Sequence, residues 1–101
     1  MFHVFIIYSS STKKFYKSRT ENLKNAITRH NNGFEIPTKE GIPWTLVWSA
    51  EKESNLDAIK LERKLINLTT NRIVKFILAH KEGIPGTMAL DLMEKMQITN
   101  P

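Results

Sequence analysis

Cysteine is absent from this 101-residue chain. No disulfide framework can support the fold, and no thiolate can act as a metal ligand or nucleophile. The absence fits a reducing compartment, so a cytoplasmic protein is the expectation. Long apolar runs are missing as well, and none approaches the roughly 18 residues of a membrane span. Residues 1–8 are apolar, but no basic flank or small-residue cleavage site accompanies them, so they read as fold and not as a leader. There is no Gly-rich phosphate loop, no G-x-S-x-G elbow and no paired-carboxylate motif. His3, His30 and His80 show no metal-ligand spacing, which excludes a zinc site. Neither a helix-turn-helix nor a zinc finger is evident. The chain has no internal repeats and no low-complexity segment.

Acidic residues are in the minority, 10 against 15 Lys and Arg, leaving a net charge of +5. Such a balance favours polyanionic partners, DNA, RNA or an anionic surface, although it also serves solubility alone. A hydrophobic content of 41% with 25% charged residues describes an ordinary soluble globular domain. A chain of this length builds one modest core.

The run FHVFIIY (2–8) is apolar on both faces, as in a central strand covered on both sides. SSSTKK (9–14) is a polar turn and FYKS (15–18) a returning strand, so 2–18 reads as a hairpin. Thr20 is a candidate helix cap, followed by Leu23, Ala26, Ile27 and His30 on one helical stripe that ends at Asn31-Asn32-Gly33. Residues 33–43 form a loop with Pro37, Gly41 and Pro43. In WTLVW (44–48), Trp44, Leu46 and Trp48 alternate with Thr45 and Val47, a third strand. Ser54 and Asp57 match a capping box for a helix over about 55–67. Thr69 or Thr70 caps another, with Ile73, Phe76, Ile77 and His80 on its stripe. EGIPG (82–86) breaks the chain. A domain over 1–82 is then followed by a tail, 83–101, in which Met88, Leu92, Met93 and Met96 have helical spacing; it is either a short docking helix or a frayed end. The expected fold class is α+β, in the order β-β-α-β-α-α, with a small, mostly antiparallel three-stranded sheet flanked by helices.

Among residues that could carry chemistry, Glu62 is the sharpest. Its helical neighbours Ala58, Ile59, Leu65 and Ile66 are all apolar, and a carboxylate there needs a cation or hydrogen bonds. A hard metal ion such as Mg²⁺ would serve, and so would a nearby Lys or Arg. Tyr16 offers a phenol at the end of the second strand, as a phosphate or water contact or as core with a wet hydroxyl. His30 is a boundary histidine unless other polar groups make it a proton shuttle or phosphate contact. Lys13, Lys14, Lys17, Arg19, Lys24 and Arg29 cluster around the hairpin and first helix. They could line a phosphate track or form a solvated basic face.

Taken in order, four segments resemble the GIY-YIG nuclease superfamily, in particular its small stand-alone bacterial members related to the excinuclease nuclease domain. FHVFIIYSSSTKKFYKSRTENL is similar to the hairpin that names the family. LKNAITRHNNG is similar to its first helix with a histidine-asparagine exit, GIPWTLVW to its third strand, and SNLDAIKLERKLI to the helix carrying its glutamate. The resemblance covers residues 2 to about 80. It implies cleavage of phosphodiesters with a divalent ion, Mg²⁺ or Mn²⁺, held by the glutamate. A first-motif tyrosine activates water, a helix arginine stabilises the phosphate, and a second tyrosine assists.

Carried over by position, the resemblance makes Glu62 the metal ligand and Tyr16 the second-motif tyrosine, with His30 at the family's His or Tyr position. The first-motif tyrosine is Phe5, the second-motif glycine is Ser18 and the helix arginine is Ala26. Arg29, on nearly the same helix face as Ala26, and Arg19, in the loop beside Tyr16, are the cations that could replace the missing one. Three readings follow. One is a DNA-binding GIY-YIG-like domain with weak or lost hydrolysis, using Lys14, Lys17, Arg19, Lys24 and Arg29 on phosphates. The others are an active metal-dependent endonuclease with a rearranged site, and a non-catalytic interaction domain without nucleic acid. The resemblance also implies that Glu62 and Tyr16 face one concave surface, with a small gap at Ala26.

Overall fold

The computed structural model describes residues 1–99. Strands β1 (Phe2–Ser9) and β2 (Lys14–Thr20) form a hairpin, followed by helix α1 (Leu23–Asn31), a 3₁₀ segment (Ile36–Gly41) and strand β3 (Trp44–Lys52). Helices α2 (Asn55–Ile66), α3 (Thr70–Ala79) and α4 (Thr87–Thr99) complete the chain. The sheet order is β2-β1-β3 with both pairings antiparallel, so the α+β expectation holds and the apolar run of β1 is the central strand.

Central position explains the two-sided apolarity of β1. Val4, Ile6 and Tyr8 point into a core shared with Ala58 and Leu65 of α2 and with Ile73 and Ile77 of α3. Phe5 and Ile7 point the other way, into a smaller core with Leu23, Ala26 and Ile27 of α1. Full burial of each such side chain contributes about 1.5–3 kcal/mol.

Three local expectations are corrected. Thr20 does not cap α1: it still pairs with His3 in the ladder, and its hydroxyl accepts the Asn22 N–H at 3.1 Å. Asn22 is the cap, accepting from the Asn25 N–H at 3.0 Å. Trp44 and Trp48 do not share a face. Ile6 pairs with Trp48 but Ile7 with Leu46, so Val47 is an extra residue in β3. The bulge flips the alternation, sending Trp48 to the large core and Trp44 to the small one. In α4, Ala89 and Met93 are buried against the large core while Met88 is 80% exposed, so the packed stripe is Ala89, Leu92, Met93 and Met96. Residues 100 and 101 of the tail lie outside the described residues. The Ser54 cap of α2 and the Thr69 cap of α3 form as expected.

Two glycines that read as chain breakers prove to be clearances for tryptophan rings. A Cβ on Gly41 would fall 2.7 Å from Cε2 of Trp44. One on Gly83 would fall 2.5 Å from Cε2 of Trp48 and 2.7 Å from the Ser49 carbonyl oxygen. Gly86 has open space around it. Gly83→Ala is expected to lower stability by about 1–3 kcal/mol, and Gly86→Ala to stay within about 0.5 kcal/mol of the parent. Urea midpoints at constant slope check both.

Candidate nucleic-acid interface

Strand β2 is an edge strand, and its alternation builds the site on two faces at once. Tyr16 lies opposite Ile7 and Ser18 opposite Phe5, which puts both on the α1 side. Lys17 lies opposite Ile6 and Arg19 opposite Val4, which puts both on the α2 side. Arg19 is therefore a strand residue and not, as the sequence suggested, part of a loop.

On the α1 side a cleft of about 260 Å³ opens between the hairpin and the helix. Phe5, Tyr16, Ser18, Ala26, Arg29 and His30 line it, with Arg19, Thr20, Asn25 and Glu35 at its margins. The positions singled out in β1, β2 and α1 are thus brought together. His30 is buried between aromatic rings, 5.8 Å from the Phe5 centroid and 5.3 Å from that of Tyr16. Its Nδ1 is 2.7 Å from the Thr38 hydroxyl, which in turn donates to the Glu35 carbonyl at 3.2 Å. With the Thr38 proton on that carbonyl, which can only accept, Nδ1–H donates to the hydroxyl. Nε2 of the neutral ring is then a free acceptor. Burial holds the His30 pKa below the ordinary histidine value, opposed by the charge of Glu35 and reinforced by that of Arg29.

The cations of this face are already engaged. Arg29 donates through Nε to Glu35 at 2.8 Å and lies over the exposed Phe34 ring. That hydrogen bond, with the charge of Arg29, outweighs slight desolvation and holds the Glu35 carboxyl below the usual carboxylate range. Ala26 contributes only a methyl group to the cleft, and Phe5 only a phenyl ring.

Glu62 does not line this cleft. It shares a shallower groove along the open edge of β2 with Phe15, Tyr16, Lys17, Ser18 and Ile66. Tyr16 is common to both hollows. Two of the four apolar neighbours of Glu62, Ala58 and Leu65, are buried, whereas Ile66 is 52% exposed, so the carboxylate sits at a rim. Its side chain is only 13% exposed, and Oε1 receives Nη1 of Arg19 at 2.5 Å. This pair ties the groove to the cleft, whose margin Arg19 also forms. Burial lowers the pKa of Lys17. Lys14 lies by a third hollow with Tyr16 and Trp44, and Lys24 is exposed on α1 away from the cleft lining.

A divalent ion at Glu62 would meet one carboxylate already bonded to a guanidinium, with Lys17 as the other charged group of the groove. Among the described residues no group of three or more His, Asp or Glu could hold a metal ion. A site built on one carboxylate needs no such group; what does not fit a resident metal is the guanidinium already on that carboxylate.

Sequence reasoning missed Thr38, which holds Nδ1 of His30, and Glu35, which pairs with Arg29. Asn31, read there only as the exit of the helix, clamps α1 to β3. The Asn31 amide accepts the Trp44 N–H at 2.6 Å and donates to the Trp44 carbonyl at 3.0 Å. Of the two missed residues, Glu35 carried a signal, an acid six residues after Arg29.

A histidine with its pKa depressed by folding takes up protons more readily when unfolded. Its contribution to stability is complete above the unfolded pKa, near 6.5, and declines as pH falls below it. The urea midpoint is expected to drop between pH 7.5 and 5.5, and His30→Gln to show a smaller drop over the same interval.

The family model of the GIY-YIG catalytic domain matches residues 1–76. No curated protein and no solved structure matches the chain. The matched span contains every residue of the cleft and of the groove. Nucleases of this type generally depend on a divalent metal and act on nucleic acid. With residues 1–76 of its 101 matched, the chain belongs to the GIY-YIG family as a nuclease-like domain.

Proposed function

We propose that this domain binds DNA through its phosphates at the cleft between the hairpin and α1, with phosphodiester hydrolysis weak or lost. The observation that carries the reading is the lining of that cleft by Phe5 and Ala26, the two residues that the resemblance sets where the family has a phenol and a guanidinium. A phenyl ring can neither take nor relay a proton, and a methyl group cannot stabilise charge developing on a phosphate. Losing one such group typically costs about 10²–10⁴-fold in rate. Binding asks for less. Arg19 and Arg29 border the cleft, and Lys14, Lys17 and Lys24 extend positive charge along the hairpin and helix. Contacts of this kind position a backbone and read little sequence.

An active endonuclease with a rearranged site is the second reading, favoured by those same two arginines beside Ala26. Each is bonded to a carboxylate, Arg29 to Glu35 and Arg19 to Glu62, and neither replaces the hydroxyl missing from Phe5.

Fluorescence anisotropy with labelled duplexes of unrelated sequence, over a range of salt, tests the binding. Similar affinities that fall steeply with log salt are expected. Absence of binding at low salt would leave an interaction domain without nucleic acid. Plasmid nicking in Mg²⁺ and in Mn²⁺ tests the chemistry. The native chain is expected to nick weakly or not at all, and robust nicking that disappears in Glu62→Ala would establish the active enzyme instead.

A further inference from the structure

We propose that Arg19, anchored by Glu62, occupies the place of a divalent cation at the lip of the cleft and makes the phosphate contact there without metal. The inference rests on the reading that the cleft takes a phosphodiester.

Three observations support it. First, Oε1 of Glu62 already has a cationic partner, so a metal ion at that oxygen would have to displace the guanidinium. Second, Arg19 is only partly consumed by that contact. Nη1 binds Glu62, and among the described residues its side chain makes no other hydrogen bond. A guanidinium carries five donors in a planar fork suited to phosphate oxygens, and its side chain is 37% exposed at the cleft margin. Third, the groove is cationic without a metal: Glu62 with Arg19 and Lys17, the cations beside it, sums to +1. It therefore attracts an anion with its own side chains. What a guanidinium does not supply is Lewis acidity: it neither coordinates water nor lowers its pKa. Binding would survive this exchange and hydrolysis would not.

Two measurements decide it, on the native chain, Arg19→Ala, Arg19→Gln and the double variant Arg19→Ala, Glu62→Gln, with circular dichroism confirming that each is folded. In the first, Mn²⁺ is titrated and the free ion followed by electron paramagnetic resonance. The native chain is expected to take up no Mn²⁺. Either single variant should gain one site, and the double variant should lose it again. Uptake by the native chain that is lost in the double variant would overturn the proposal, and so would failure of both single variants to bind. In the second, duplex binding is read by anisotropy in EDTA and in Mg²⁺. Equal affinity in the two is expected, with Arg19→Ala weaker by about tenfold and its salt slope smaller by about one. Affinity that requires Mg²⁺, or that is unchanged in Arg19→Ala, would overturn it. If the native chain binds no duplex in either buffer, the DNA-binding reading falls and the phosphate contact with it, while the Mn²⁺ titration still decides whether Arg19 holds the cation's place.

Discussion

The ladder between β1 and β2 is the constraint on which the rest of the site depends. Its register fixes which β2 side chains face α1 and which face α2. Tyr16 and Ser18 go one way, Lys17 and Arg19 the other. A slip of one residue would exchange these sets and put two cations into the small aromatic core. The register is protected from the β1 side, because Val4, Ile6 and Tyr8 must enter one core while Phe5 and Ile7 enter the other. The most buried strand of the molecule thus positions its most polar one.

That arrangement explains why the ion pair between Arg19 and Glu62 matters beyond its own energy. Helix α2 packs on β1 and β2 through Ala58 and Leu65. Glu62 projects from the same helix to the strand edge, where the apolar contacts end. A carboxylate in that position must be satisfied. The partner it finds is on β2, so one charge contact joins the helix to the edge strand and also connects the groove with the cleft. On the opposite face Asn31 does comparable work with neutral groups, clamping the end of α1 to the start of β3 and so holding His30 against Tyr16 and Phe5.

Much of this could be read in the sequence because the signals were local. A two-sided apolar run specifies a central strand, a serine three residues before an aspartate specifies a helix start, and the order of four segments specifies the family. What could not be read depended on non-local partners. The bulge at Val47 is invisible in an alternating pattern, because WTLVW satisfies a regular strand as well as a bulged one. Thr38 belongs to a loop of no distinctive pattern, and its role exists only once the loop folds back over His30. The pairing of Arg19 with Glu62 spans 43 positions in sequence. Spacing on α2 showed that Glu62 needed a cation, but periodicity within a helix says nothing about which strand will supply it.

Binding and cleavage place different demands on such a site, and the lining of the cleft separates them. Attraction of a phosphodiester depends on summed charge, which tolerates relocation of a cation by several ångströms and its exchange between residue types. Hydrolysis depends on particular atoms: a proton acceptor within hydrogen-bond reach of water and a cation at the oxygen where charge develops. On the proposed reading, the cleft retains one half of an acid–base apparatus. His30 is held neutral with Nδ1 occupied by Thr38, which leaves Nε2 able to accept a proton beside Tyr16. The other ring in contact with it is Phe5, which has no hydroxyl to join a relay. A base without a proton path, next to cations that are each bonded to a carboxylate, holds an anion better than it breaks one. On the reading proposed above, such a site favours retention of a nucleic-acid backbone over turnover.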